Sequence, residues 1–292
     1  MRIIAGPTSS GLSRKVAELL HSRIIDVEAK FFPDGESYVR LTAPVRGEEV
    51  AVIQTLSRPQ DTSTIQLLQL MWAARDYGAT KVIAVIPYFA YARQHKRFLE
   101  GEAITAVMLA RFIQEAGAGA FMTVDAHNID SMKGFTIPTI NIDASPVVSE
   151  KLREMKLQGA SVVAPDEGAL NRARSLASLL DGEALFMRKS RDRVTGKIDI
   201  ADVDFDVSGK NVVIFDDVIS TGGTVAESIK IIRRHNPARI VVACVHALLV
   251  GDALDRVLAA GAEEIISTDT LPTIVKTVSV APLIAEELSR SA

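Results

Sequence analysis

The chain contains a single cysteine, Cys244, so no disulfide can form within it. Cys244 lies in the apolar run Ile240 to Val245, which suits a small buried hydrophobe. No apolar stretch reaches the roughly 18 residues that a membrane span requires, so no membrane partner is expected. Net charge is also scarce. Lys and Arg number 33 against 36 Asp and Glu, a formal charge of -3, which gives no footing for a general binder of nucleic acid. Low-complexity runs and long linkers are missing. The N-terminus opens on the strand-like Arg2-Ile3-Ile4-Ala5, with no leader-like segment before it. A reduced, cytoplasmic setting is therefore the expectation.

What is present is an ordinary globular composition, 48% hydrophobic and 24% charged over 292 residues, enough for one large domain or two of ordinary size. Short β-branched runs at Val50 to Gln54, Lys81 to Pro87, Ala120 to Asp125, Ser161 to Pro165, Asn211 to Phe215 and Arg239 to His246 read as buried strands. Helical patterns at Thr62 to Tyr77, Ala103 to Glu115, Val147 to Met155, Gly168 to Leu180 and Gly223 to His235 alternate with them. Continuous apolar strands alternating with helices predict an α/β fold, with mainly parallel sheets covered on both faces.

The pattern repeats. Ala116-Gly117-Ala118 leads into a strand ending at Asp125, and Ala260-Gly261-Ala262 into one ending at Asp269; both the glycines and the aspartates are 144 residues apart. Ile137-Pro138-Thr139-Ile140 is echoed by Leu271-Pro272-Thr273-Ile274, and Ser145-Pro146 before a helix by Ala281-Pro282 before another. The order strand, loop, helix, strand also recurs, from Val50 to Pro87 and from Asn211 to His246. Two tandem copies of one α/β domain are expected, residues 1–145 and 146–292.

The sharpest chemical signal is the segment from Val212 to Thr224. A buried strand ends in Asp216 and Asp217, then Ser220-Thr221-Gly222-Gly223-Thr224 turns into a helix. Ligands of parallel α/β sheets bind at the carboxyl ends of strands. The glycines admit a phosphate close to the backbone, and amides and hydroxyls at a helix N-terminus suit its charge. Two carboxylates cannot favour that phosphate; they suit sugar hydroxyls or a metal. This segment resembles the signature of the type I phosphoribosyltransferase fold, which grips a ribose and its 5-phosphate.

Four further segments extend the resemblance to the ribose-phosphate diphosphokinase family. Phe31-Phe32-Pro33-Asp34-Gly35-Glu36 is by itself a turn. It resembles the family's adenine-binding loop, which implies that Phe31 stacks on the base while Asp34, Gly35 and Glu36 join the nucleotide site. Because the family's loop serves a neighbouring subunit, a homodimer or larger oligomer with a shared ATP site is implied. Tyr88 to Arg97 is an aromatic and basic loop after a strand, and the fork of Arg93 suits a triphosphate. It matches the family's ATP-binding segment, in which Arg93 and Gln94 would contact ATP. Asp125-Ala126-His127 resembles an Asp-hydrophobic-His motif near Mg–ATP, placing His127 at the triphosphate or the metal. Imidazole is an unusual ligand for so hard a cation, and Asp166, after the strand Ser161 to Pro165, is the better oxygen donor for Mg²⁺.

Last, Arg188 to Arg193 carries four basic residues in six. Most such runs are solvated loops. The family's mobile catalytic loop has a Lys-x-Arg that Lys189 and Arg191 fit, with Arg191 also near the sugar phosphate. The resemblance implies transfer of diphosphate from ATP to the 1-hydroxyl of ribose 5-phosphate. Asp216, Asp217 and Ser220 through Thr224 would hold the sugar phosphate, with Gly222 and Gly223 at the phosphate itself. A phosphoribosyltransferase and a non-catalytic regulatory homologue are the alternatives. The first needs neither Arg93-Gln94 nor a second domain, and the second predicts damaged motifs.

Overall fold

The computed structural model describes residues 1–187, 189–191, 198–200 and 205–291, with the backbone alone described at 189–191 and 198–200. Two compact units result. Unit 1 comprises Met1–Asp143, Thr270–Pro272 and Ser279–Ala292, and unit 2 comprises Ala144–Asp269 and Thr273–Val278.

In unit 1 the order is β1 (Arg2–Ala5), α1 (Ser10–Leu19), β2 (Ile24–Ile25), β3 (Val27–Phe31), β4 (Ser37–Leu41), β5 (Glu49–Ile53), α2 (Gln60–Asp76), β6 (Lys81–Ile86), α3 (Thr105–Glu115), β7 (Ala120–Val124) and β8 (Thr139–Ile142). Six strands form a parallel sheet in the order β2-β1-β5-β6-β7-β8. β3 and β4 form a separate antiparallel hairpin. Val50, Ala51, Val52 and Ile53 are all fully buried, as a strand covered on both faces requires. Phe121 stacks on Phe135 with ring centroids 4.2 Å apart, and Phe89 meets Phe121 edge-on at 5.1 Å.

Unit 2 runs α4 (Ser145–Glu154), β9 (Ser161–Ala164), α5 (Leu170–Leu179), β10 (Ala184–Phe186), β11 (Lys189–Arg191), β12 (Ile198–Ile200), β13 (Asn211–Ile219), α6 (Gly223–Arg233), β14 (Arg239–Ala247), α7 (Ala253–Ala260), β15 (Glu264–Thr268) and β16 (Lys276–Val278). Its parallel sheet has the order β10-β9-β13-β14-β15-β16, again with a separate hairpin, β11 with β12. Strand for strand this is the order of unit 1. The expected pair of α/β domains, each on a parallel sheet flanked by helices, is what the chain forms.

The last helix, α8 (Ala281–Ser291), departs from the continuous stretch 146–292 expected for the second domain. It packs beside α1 in unit 1, as α4 packs beside α5 in unit 2. Ile284 and Leu288 of α8 are fully buried, so burial of this apolar stripe decides its home. β13 and β14 also run further than expected. They stay paired to Ile219 and Ala247, so Asp216 and Asp217 lie inside β13 and only beyond its pairing with β9. No helix among the described residues is long and apolar enough to cross a membrane.

Candidate active site

In unit 2 the site is built on the end of β13. Adjacent residues of a strand face opposite sides, so Asp216 and Asp217 serve different neighbours. The Asp217 carboxylate is buried and lies 3.5 Å from Nη1 of Arg172 on α5. The Asp217 backbone N–H donates to Oδ1 of Asp216 at 2.9 Å. Burial first, then the negative charge of Asp217, pushes the Asp216 carboxyl well above its ordinary range, and Asp166 adds to the effect. Asp166 caps the turn before α5, with Oδ1 accepting from the Ala169 N–H at 3.2 Å. The structure therefore gathers Asp166, Asp216, Asp217 and Arg172 within electrostatic reach. Arg172 was not singled out in the sequence; a basic residue one turn into the helix that follows Asp166 was the available signal.

The turn after β13 is set by packing. Gly222 sits at φ +72°, and a Cβ there would fall 2.9 Å from Cγ2 of Val257 and 3.1 Å from the Ala253 carbonyl oxygen. Only glycine meets both demands. The carbonyls of Ile219, Ser220 and Thr221 accept from Leu248 and Leu249, from Val250, and from Arg256 Nη1 at 3.0 Å. Gly222 leads into α6 and no side chain caps that helix. A helix N-terminus without a side-chain cap offers backbone N–H groups to an anion. Ser220, Thr221, Gly223 and Thr224 surround it, none of them fully buried.

In unit 1 two loops leave neighbouring strand ends. β6 and β7 pair up to Ile86 and Thr123, and the Val124 N–H donates to the Pro87 carbonyl. The loop after β6 carries Arg93 and Gln94, both exposed; the loop after β7 carries buried Asp125, at φ +40°, and exposed His127. Asp130, just beyond, is held below the usual carboxylate range by Lys133, with His95 and Lys96 contributing, which brings the two loops together electrostatically. The β3–β4 hairpin tip is tight. Phe32 N–H donates to Glu36 O, Gly35 N–H to Phe32 O, and Gly35 adopts φ +95°. Phe31 is 58% exposed at the end of β3, and Asp34 and Glu36 are exposed beside it.

Lys189 and Arg191 lie on β11, where the backbone alone is described; Arg188 and residues 192–197 lie outside the described residues. Among the described residues no three or more His, Cys, Asp or Glu side chains are grouped to hold a metal. His127 is in unit 1 and Asp166 in unit 2.

Residues 1–117 match the family of N-terminal domains of ribose phosphate pyrophosphokinase, and residues 137–277 match the phosphoribosyl transferase domain. A ribose-phosphate pyrophosphokinase from Methanothermobacter thermautotrophicus is 40% identical over 97% of this chain and 98% of that protein. The chain belongs to the ribose-phosphate pyrophosphokinase family. Another member, from Sulfolobus acidocaldarius, is 35% identical over 99% of each chain. The crystal structure of phosphoribosylpyrophosphate synthetase from Mycobacterium smegmatis superposes with a TM-score of 0.89 at 29% identity, covering 99% of this chain and 98% of that one. Family membership spans both units, which agrees with the repeated sheet order.

Proposed function

We infer that this chain is a ribose-phosphate diphosphokinase, taking ATP and ribose 5-phosphate to 5-phosphoribosyl 1-diphosphate and AMP. The observation that carries the reading is the β13–α6 turn. A glycine-dictated, side-chain-uncapped helix N-terminus stands directly after two carboxylates of unequal character. The 5-phosphate sits on the turn from Ser220 to Thr224, and Asp216 and Asp217 accept from the ribose hydroxyls. This orients the 1-hydroxyl toward the β-phosphorus for in-line attack, after which AMP leaves. Orientation and charge stabilisation supply most of the rate. Lys189 and Arg191 neutralise the charge that builds on the transferring group.

A divalent cation fits the residues present. Asp166, Asp216 and Asp217 stand within electrostatic reach of one another, and carboxylate oxygens are hard donors of the kind Mg²⁺ takes. Asp166 is the best protein ligand, and His127 fits a triphosphate oxygen better than the ion. When bound with ATP, Mg²⁺ supplies charge neutralisation across the phosphate oxygens. The nucleotide belongs to Arg93, Gln94 and His127, with Phe31, Asp34, Gly35 and Glu36 closing on the base. A second copy of the chain is the partner expected to share that site. An apolar groove of about 510 Å³, lined by Tyr38, Val39, Leu68, Trp72 and Phe112, supports it, with Trp72 60% exposed.

AMP formation from Mg–ATP, with and without ribose 5-phosphate, tests the reading. AMP should appear only with the sugar, and Lys189→Ala should cost about 100- to 1,000-fold in kcat while sugar phosphate binding survives. Binding of both ligands without AMP release would instead identify a non-catalytic homologue.

A further inference from the structure

The segment that presents Arg93 and Gln94 has no regular structure of its own, yet it is tied at four points within unit 1. Phe89, Ala90 and Ala92 are buried in the core. Between them Tyr91 takes a left-handed backbone, φ +64°, which bulky side chains rarely adopt. Its carbonyl accepts from the Gln94 N–H at 2.8 Å and closes a turn around Arg93. Its hydroxyl donates to Oδ1 of Asp61, in the first turn of α2. A carboxylate is favoured there by the helix dipole. Burial and the Asp61 charge raise the Tyr91 hydroxyl to about 12, so it stays a donor throughout neutral pH.

The far end is tied to α3. Thr105, its first residue, donates from Oγ1 to Oε1 of Gln94 at 2.5 Å, and the Ala106 N–H donates to the Gln94 carbonyl at 3.3 Å. With its side-chain oxygen engaged, the Gln94 amide offers its NH₂ group, a pure donor. An acceptor-rich triphosphate is matched by such a group beside the Arg93 fork.

We propose that Asp61 and Thr105, outside every nucleotide-contacting motif, are positioning residues for ATP. Through Tyr91 and Gln94 they latch the turn to the N-termini of α2 and α3, so that Arg93 and the Gln94 amide meet the triphosphate already oriented. This rests on the reading of Arg93 and Gln94 as nucleotide contacts. Preorganisation of this kind strengthens binding by removing the ordering cost of a free loop.

The experiment is steady-state kinetics for both substrates, with thermal midpoints, on Tyr91→Phe, Asp61→Ala, Asp61→Asn, Thr105→Val and the Tyr91→Phe/Asp61→Ala double variant, beside Arg93→Ala. Tyr91→Phe and Asp61→Ala should each raise KM for Mg–ATP about tenfold, the size expected for one hydrogen bond to a charged group. KM for ribose 5-phosphate and the thermal midpoint should stay near wild type. The double variant should be no worse than either single one, because both remove the same bond. Asp61→Asn, which keeps an acceptor, should restore part of the loss. Thr105→Val should act in the same direction. Wild-type KM for ATP in these variants, with Arg93→Ala impaired, overturns the latch. So does a parallel rise of both KM values with a lowered midpoint, which marks a merely structural contact. If Arg93→Ala itself leaves KM for ATP unchanged, the nucleotide reading of the segment fails and the latch falls with it.

Discussion

Gln54-Thr55 in unit 1 and Asp216-Asp217 in unit 2 occupy the same place in the two sheets. Ala5 of β1 pairs with Ile53, and Val163 of β9 pairs with Ile214, so the residues following Ile53 and Phe215 correspond. In unit 1 this position has become scaffold. Gln54 and Thr55 are buried, and Oε1 of Gln54 accepts from the Thr8 N–H while its amide donates to the Ser63 carbonyl. Oγ1 of Thr55 accepts from the Tyr88 N–H and donates to the Thr270 carbonyl. A Cβ on Gly6 would lie 2.3 Å from Oε1 of Gln54, so the space is closed by the protein itself. In unit 2 the same position holds two acids, Asp217 beside Arg172 and Asp216 with a raised carboxyl. Satisfied polar groups in unit 1 stabilise the fold; the acids of unit 2 instead raise one another's electrostatic cost, a pattern that gathers at functional sites.

The hairpins repeat the lesson. Each follows the edge strand of its sheet, β3–β4 after β2 and β11–β12 after β10. One carries Phe31 and, at its tip, Asp34 and Glu36; the other carries Lys189 and Arg191 on β11.

The comparison can be broken most forcefully by exchanging losses between the two strand ends. Asp217→Asn should lower AMP formation per folded molecule by roughly 100- to 1,000-fold. Gln54→Ala should leave kcat per folded molecule intact and cost about 1–3 kcal/mol in urea unfolding. Loss of ribose 5-phosphate binding in Gln54→Ala would show that the two positions have not diverged. Next in size, Leu288→Ala in α8 should destabilise unit 1 by about 2–5 kcal/mol. Hydrogen exchange should report faster exchange in β1 and α1, while Leu152→Ala in α4 does the same in unit 2. Phe31→Ala should raise KM for ATP about tenfold through loss of base stacking and leave kcat nearly unchanged. The smallest effect concerns pH. A carboxyl whose folded pKa is raised favours the folded state at low pH, and that contribution is lost as pH rises through the raised value. Asp216→Asn should therefore raise the melting temperature of the ligand-free protein at pH 7, and the gain should shrink as pH falls toward about 4, the ordinary aspartate range. A gain that persists at pH 3 would assign it to packing instead.

Much of this architecture was legible because periodicity and repetition are carried by many residues at once. The strands from Val50, Lys81, Ala120 and Ser161 lie where their apolar runs placed them, and the 144-residue echo foretold the twin sheets. The extension of β13 through Asp216 to Ile219 was not legible, since paired acids read as a strand's end; pairing with β14 overrides that local preference. The hairpins escaped because β3 and β11 are short and lack clean alternation. The Tyr91–Asp61 contact joins residues 30 positions apart through a loop that carries no periodic signal.

The placement of α8 has a consequence for biogenesis. Most of unit 1 precedes unit 2 in the chain, yet the helix that covers α1 follows unit 2. Until residues 281–291 have been made, the face of α1 that packs on α8 is bare, while unit 2 already has α4 in hand. The first-made half is thus the last to be finished, and a truncated product would expose the sticky face of its oldest part.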